Sequence, residues 1–99
     1  MPLTDTAIRN AKPAEKPLRL FDGGGLYLEV APTSGGKWWR FKYRFEGKEK
    51  RLSLGVYPDV DLKTARERRD EARRQVANKV DPSQKRKAEK ATRLEEAAN

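Results

Sequence analysis

Apolar and polar positions recur with two different periods along this chain, and the change of period divides it. Residues 26–31 alternate with a period of two, placing Leu26, Leu28 and Val30 on one face and Tyr27 and Glu29 on the other. Residues 37–45 alternate over a longer run, with Trp39, Phe41, Tyr43 and Phe45 against Trp38, Arg40, Lys42 and Arg44. A short strand is expected at 18–22, and a fourth from about 49 to 57, ending at Pro58. Turn residues separate these runs: Asp22-Gly23-Gly24-Gly25, Pro32-Thr33-Ser34-Gly35-Gly36 and Glu46-Gly47. Beyond residue 60 the period lengthens. Leu62, Ala65, Ala72, Val76 and Val80 form a narrow apolar stripe at helical spacing, with Asp61 as its N-cap. Asp81-Pro82 breaks that helix.

Residues 3–12 read as a short helix. Thr4 caps it, Asp5 complements the dipole of its first turn, and Leu3 and Ile8 have the spacing of a hydrophobic staple. Residues 83–99 are rich in Lys, Glu and Ala, with Leu94 the sole large aliphatic. They read as a charged linker with helical propensity, or as the start of a helix that needs a further domain. The pattern predicts an α+β fold: a small antiparallel sheet of three to four strands, a short N-terminal helix, and a longer C-terminal helix packed on one face. The expected division is a domain at 1–82 and an extension at 83–99.

The third and fourth strands can be registered against each other. With Glu46-Gly47 as a two-residue turn, Phe45 faces Lys48, Arg44 faces Glu49, Lys42 faces Arg51 and Arg40 faces Ser53. On the opposite face Phe41 meets Leu52 and Trp39 meets Leu54. A slip of one residue would set Leu52 beside Lys42, so the pattern selects this register.

Charge changes the picture of that ribbon. The chain of 99 residues carries 23 Lys and Arg against 15 Asp and Glu, a net +8. Residues 1–36 are neutral, residues 37–51 sum to +5 and residues 52–99 to +3. Most of the excess therefore sits on the third and fourth strands, the footprint of a polyanionic partner. Arg40, Lys42 and Arg51 cluster on one exposed face, and Lys42 opposite Arg51 is a destabilising pair unless an anion relieves it. A two-stranded ribbon fits a B-DNA major groove, where Arg and Lys donate to guanine O6 and N7. Arg40, Lys42 and Arg51 are therefore the expected DNA contacts, flanked by Arg44, Lys48 and Ser53.

Other chemistry is thinly represented. There is no Cys and no His, hence no disulfide framework, no thiolate metal site and no imidazole base. Neither a metal, nor a cofactor, nor a small-molecule substrate, nor a catalytic residue is expected. No apolar run approaches the length of a membrane span, so no membrane partner is expected. The glycines at 23–25 lack the Lys-Ser/Thr ending of a phosphate loop. Arg66, Arg68, Arg69, Arg73 and Arg74 are interleaved with Glu67, Asp70 and Glu71, which reads as a solvated helix face with local ion pairs.

Several segments together resemble a known family. Leu3-Thr4-Asp5-Thr6-Ala7-Ile8-Arg9-Asn10-Ala11-Lys12-Pro13 is similar to the opening of many prophage and genomic-island integrases. Asp22-Gly23-Gly24-Gly25-Leu26-Tyr27-Leu28-Glu29-Val30, Gly36-Lys37-Trp38-Trp39-Arg40-Phe41-Lys42-Tyr43-Arg44 and Leu52-Ser53-Leu54-Gly55-Val56-Tyr57-Pro58 follow in the family's order. Leu62-Lys63-Thr64-Ala65-Arg66 and the closing Asp81-Pro82 complete the series. The resemblance is to the N-terminal arm-type DNA-binding domain of phage-type tyrosine recombinases. It implies binding of double-stranded arm-type sites by one face of the sheet, with core-binding and catalytic domains elsewhere in the full-length protein. It implies other integrase protomers as assembly partners, and a bacterial cytoplasmic, nucleoid-associated location. Tyr27, Tyr43 and Tyr57 match the arm-binding pattern and are not expected to act as nucleophiles. Two alternatives stay open from the residues alone. One is a protein-interaction module that orders the recombinase assembly. The other is an RNA-binding sheet, for which Trp38, with Tyr27 or Tyr57, would supply the stacking.

Overall fold

The computed structural model describes residues 2–98. Helix α1 spans Asp5–Asn10. Four strands follow: β1 at Leu18–Gly23, β2 at Leu26–Val30, β3 at Lys37–Phe45 and β4 at Lys48–Tyr57. Helices α2 (Leu62–Ala77) and α3 (Pro82–Ala98) complete the chain. The strands form one antiparallel sheet in the order β1-β2-β3-β4.

Local chemistry accounts for the boundaries. Thr4 Oγ1 accepts the Ala7 N–H and Asp61 Oδ1 accepts the Thr64 N–H, so both expected caps form. Glu46 and Gly47 both adopt positive φ, 52° and 77°, the conformation whose twist suits a two-residue hairpin. Helix α2 stops at Ala77, short of Val80. Lys79 turns left-handed at φ 61°, and the Lys79 and Val80 amides bond back to the Val76 and Gln75 carbonyls, a Schellman closure. Val80 therefore leaves the predicted apolar stripe and is exposed.

The core lies between the sheet and α2. Leu26, Leu28, Val30, Trp39, Phe41, Leu52 and Leu54 from the sheet meet Leu62, Ala65 and Ala72 of α2, and Ile8 of α1 closes one end. The Trp39 indole N–H donates to the Val60 carbonyl at 2.7 Å, which satisfies the polar edge of the largest buried ring.

Residues 83–98 continue as helix α3. Pro82 occupies the first helical position, where its missing N–H costs nothing, and Asp81 Oδ1 caps the Ser83 N–H at 3.0 Å. The Asp81 carboxylate also binds the Tyr43 hydroxyl and the Lys50 ammonium, and Arg86 donates to the Ser53 carbonyl at 2.6 Å. The start of α3 is thus held to β3 and β4. Among the described residues no helix is long and apolar enough to cross a membrane.

Candidate nucleic-acid interface

Strand alternation sorts the sheet into two rows. The row away from α2 carries Arg19 and Phe21 on β1, Tyr27 and Glu29 on β2, Trp38, Arg40, Lys42 and Arg44 on β3, and Glu49, Arg51, Ser53 and Val56 on β4. Lys42, Arg44, Arg51 and Ser53 are exposed and Arg40 is half-buried. Lys42 lies directly opposite Arg51, Arg40 opposite Ser53 and Arg44 opposite Glu49, as the alternation predicts.

One expected pairing fails in detail. Trp39 pairs with Gly55, because the register shifts between Trp39 and Arg40 and leaves Leu54 as the extra residue of a β-bulge. Gly55 takes φ 124°, and a Cβ there would lie 2.4 Å from Val60 Cγ2. The bulge thus lets the chain after β4 pack closely, and it reverses the facing of the residues beyond it. Lys48 keeps its expected register. It pairs with Phe45 and so belongs to the α2 side of the sheet at the hairpin tip, apart from the cluster it was grouped with. The cause is the parity of a pleated strand, in which 48, 50 and 52 share one face.

Ion pairs temper the cationic row. Lys42 Nζ lies 2.6 Å from Glu49 Oε1, diagonally across the ribbon, which relieves the repulsion between Lys42 and Arg51. That contact holds the exposed Glu49 carboxyl below its ordinary range. Glu29 lies 3.3 Å from both Arg19 and Arg40, so one carboxylate orients two guanidinium groups. Arg44 and Arg51 form no ion pair among the described residues. Two cations of the basic segment face elsewhere. Lys37 Nζ donates to the Ile8 carbonyl at 2.7 Å, capping α1, and Lys50 meets Asp81.

Sequence reasoning missed Arg19, Phe21, Glu29 and Val56 as members of this face. Alternation in the first two strands would have found the first three once β1 was paired with β2. Nothing in the local pattern signals Val56, which the bulge places. Tyr27 also belongs to this row, yet it is 1% exposed beneath Phe21, whose ring centroid is 5.4 Å away. Its hydroxyl is buried with no hydrogen bond among the described residues.

Arg68, Arg73 and Arg74 are exposed on α2 as their spacing suggested, but Arg66, Arg68 and Arg69 also reach partners outside the helix. Arg66 places two nitrogens on the Asp22 carboxylate, at 2.8 and 3.0 Å, and also donates to the Leu3 carbonyl. Arg69 reaches the same carboxylate at 3.0 Å, and Arg68 donates to the Leu54 carbonyl at 2.8 Å. The Asp22 side chain is only 3% exposed. Its carboxyl is held below its ordinary range, first by the Arg66 hydrogen bonds, against the opposing effect of burial. Local pairs of the expected kind also form: Arg69 with Asp70 at 2.9 Å and Arg74 with Glu71 at 3.4 Å.

Comparison with known proteins agrees with this architecture. Residues 3–89 match the family model described as the arm DNA-binding domain. The integrase of Shigella phage Sf6 is 48% identical over 86 residues, which cover 87% of this chain and 22% of the phage protein. The prophage integrase IntS of Escherichia coli (strain K12) has the same identity and coverage. Prophage integrase IntZ of that strain is 44% identical over 92 residues, 91% of this chain and 23% of the integrase. The chain thus spans about a fifth of the length of the relatives it matches. With the family model matching most of the chain and integrases this similar along it, the protein belongs to the arm DNA-binding domain family of phage and prophage integrases.

Proposed function

We propose that this domain recognises arm-type sites in double-stranded DNA by laying the outer face of β3 and β4 in the major groove. The observation that carries the reading is the division of the sheet. One face is buried under α2, and the other presents Lys42, Arg44 and Arg51 to solvent with Arg40 beside them. Arg40, Lys42 and Arg51 address base edges or nearby phosphates, and Ser53 lies alongside. Arg44 and Lys48, toward the hairpin tip, meet flanking phosphates. Glu29 and Glu49 hold Arg40 and Lys42 extended before DNA arrives, and each cation can exchange its carboxylate for a nucleic-acid acceptor.

The domain serves the recombination reaction without performing it. Residues 1–82 grip the arm site, and 83–99 lead toward core-binding and catalytic domains of a full-length integrase. There it works with other protomers at the bacterial nucleoid. The test is a titration of duplex DNA against the 99-residue chain over a salt series. Affinity is expected to fall steeply with salt, because each neutralised phosphate releases counterions. A flat response would remove DNA as the main partner and favour a protein-interaction role.

A further inference from the structure

The outer face of the sheet is not only basic. Four large apolar side chains are exposed among the described residues: Phe21 at 61%, Trp38 at 41%, Val80 at 39% and Val56 at 36%. Three of these, Phe21, Trp38 and Val56, stand in the same outward row as Arg40, Lys42 and Arg51. Trp38 and Val56 are direct cross-strand partners and form one apolar step on the β3–β4 ribbon.

Val56 reaches that position only through the bulge. In an unbroken pairing of β3 with β4, residues 52, 54 and 56 would all face the core. The extra residue at Leu54 reverses the facing, so Val56 emerges beside Trp38 while Tyr57 packs inward. Gly55 accommodates this at φ 124°, under Val60. A backbone irregularity that turns a valine from a core onto a cationic face calls for an apolar group in the ligand. Phosphates and sugars offer poor matches. In the major groove the thymine 5-methyl is the apolar group that distinguishes one base pair from another.

We infer that Trp38 and Val56 together read a thymine methyl group, so that the recognised site carries an A·T pair about two base-pair steps from the one addressed by Arg40. The inference rests on the major-groove reading above. Trp38 lies two residues from Arg40 along β3, roughly 6.8 Å. That spans about two base-pair steps when the ribbon follows the groove. Glu29, opposite Trp38 on β2, is already engaged by Arg19 and Arg40.

The test uses a short duplex selected from a random pool by the 99-residue chain. Each thymine is replaced in turn by deoxyuridine, which removes only the methyl, and each guanine by 7-deazaguanine, which removes the N7 acceptor. One or two deoxyuridine positions are expected to weaken binding about three- to fivefold, the worth of one buried methyl. Val56→Ala is expected to erase the thymine–deoxyuridine difference at that position while leaving the 7-deazaguanine effects and the melting temperature in place. Trp38→Leu is the second variant, expected to act at the same position. Neutral deoxyuridine throughout, a selected site without an A·T pair near the sensitive guanine, or an undiminished methyl effect in both variants overturns the inference. If 7-deazaguanine still weakens binding in those cases, the major-groove reading stands. If neither analogue matters and Arg51→Ala binds as the parent does, the groove reading itself falls.

Discussion

On α2, Arg66 and Arg69 turn inward onto the Asp22 carboxylate and Arg68 onto the Leu54 carbonyl. On β3 and β4, Lys42, Arg44 and Arg51 turn outward, with a single exposed glutamate, Glu49, to pair with. Both groups are dense runs of cations in the sequence. Their roles differ because their anions differ. Asp22 is buried at the end of β1 and cannot leave, so the α2 arginines fasten helix, sheet edge and N-terminal segment together. Glu49 is exposed, so the sheet cations can exchange it for phosphate or guanine. The same residue type is structural where the partner is fixed and available for a ligand where it is not.

The sharpest way to break this comparison starts beneath the sheet cations. Phe41→Ala removes a ring that is 2% exposed, stacked on Tyr43 at 5.2 Å. It is expected to cost about 3–5 kcal/mol in denaturant unfolding, as for other buried aromatics. A change within about 0.5 kcal/mol, ordinary for surface sites, would show that the two faces are assigned backwards. Asp22→Ala comes next. It leaves Arg66 and Arg69 facing each other, and should cost about 3 kcal/mol while the folded variant keeps its DNA affinity. Loss of affinity without loss of stability would move Asp22 and its arginines into the interface.

Arg51→Ala is expected to do the reverse. Stability should stay within about 0.5 kcal/mol, and discrimination between the selected site and a scrambled duplex should fall by about 1–3 kcal/mol. An unchanged specificity ratio in both Arg40→Ala and Arg51→Ala would move the reading face elsewhere.

Acid sharpens the contrast from another direction. Asp22 and Asp81 both have folded carboxyls below their ordinary range. Hydrogen bonds from Arg66 lower the first. At Asp81 burial pulls upward, and the bonds from Lys50 and Tyr43 outweigh it. A lowered folded value means stability that is present above the unfolded carboxylate range and lost as pH falls through the folded value. Unfolding midpoints should therefore drop below about pH 4. Asp22→Asn should make that acid limb shallower, and a limb unchanged in slope would count against the pair. At the other end, burial and the Asp81 bond raise Tyr43, and Asp81 raises Lys50. Their stability is present below about pH 10 and fades above it. The smallest effect belongs to Lys85 and Lys87, exposed on α3. Their double alanine variant should weaken all duplexes alike and lower the salt slope by about two or less. A sequence-dependent loss would place α3 at the bases.

Much of this was legible in the residues. The hairpin register from Arg40–Ser53 to Phe45–Lys48 follows from alternation on both strands and from Glu46-Gly47. The caps at Thr4 and Asp61 follow from side chains that reach only their own first turn. The family resemblance rests on co-linear segments spread over most of the chain. The roles of Arg66 and Arg69 could not be read, because their anion lies 44 and 47 residues away. The docking of α3 was equally hidden, since it depends on Asp81 meeting Tyr43 and Lys50, 38 and 31 residues earlier.

The sequence by itself determined α1, the four strands and α2, the pairing of β3 with β4 near their hairpin, and the choice of which face of β3 is apolar. Each of these is encoded in periodicity and turn chemistry within a few residues. The tertiary structure alone decided where the ladder slips at Leu54, hence that Val56 faces outward, and which cations are tied down and which stay available. A bulge sets two residues of one strand against one of its partner, and the close approach of Val60 to Gly55 accompanies it. An ion pair between a helix and a sheet edge exists only once α2 has settled on the core. Both depend on distances through space between segments far apart in the chain, which no local pattern records.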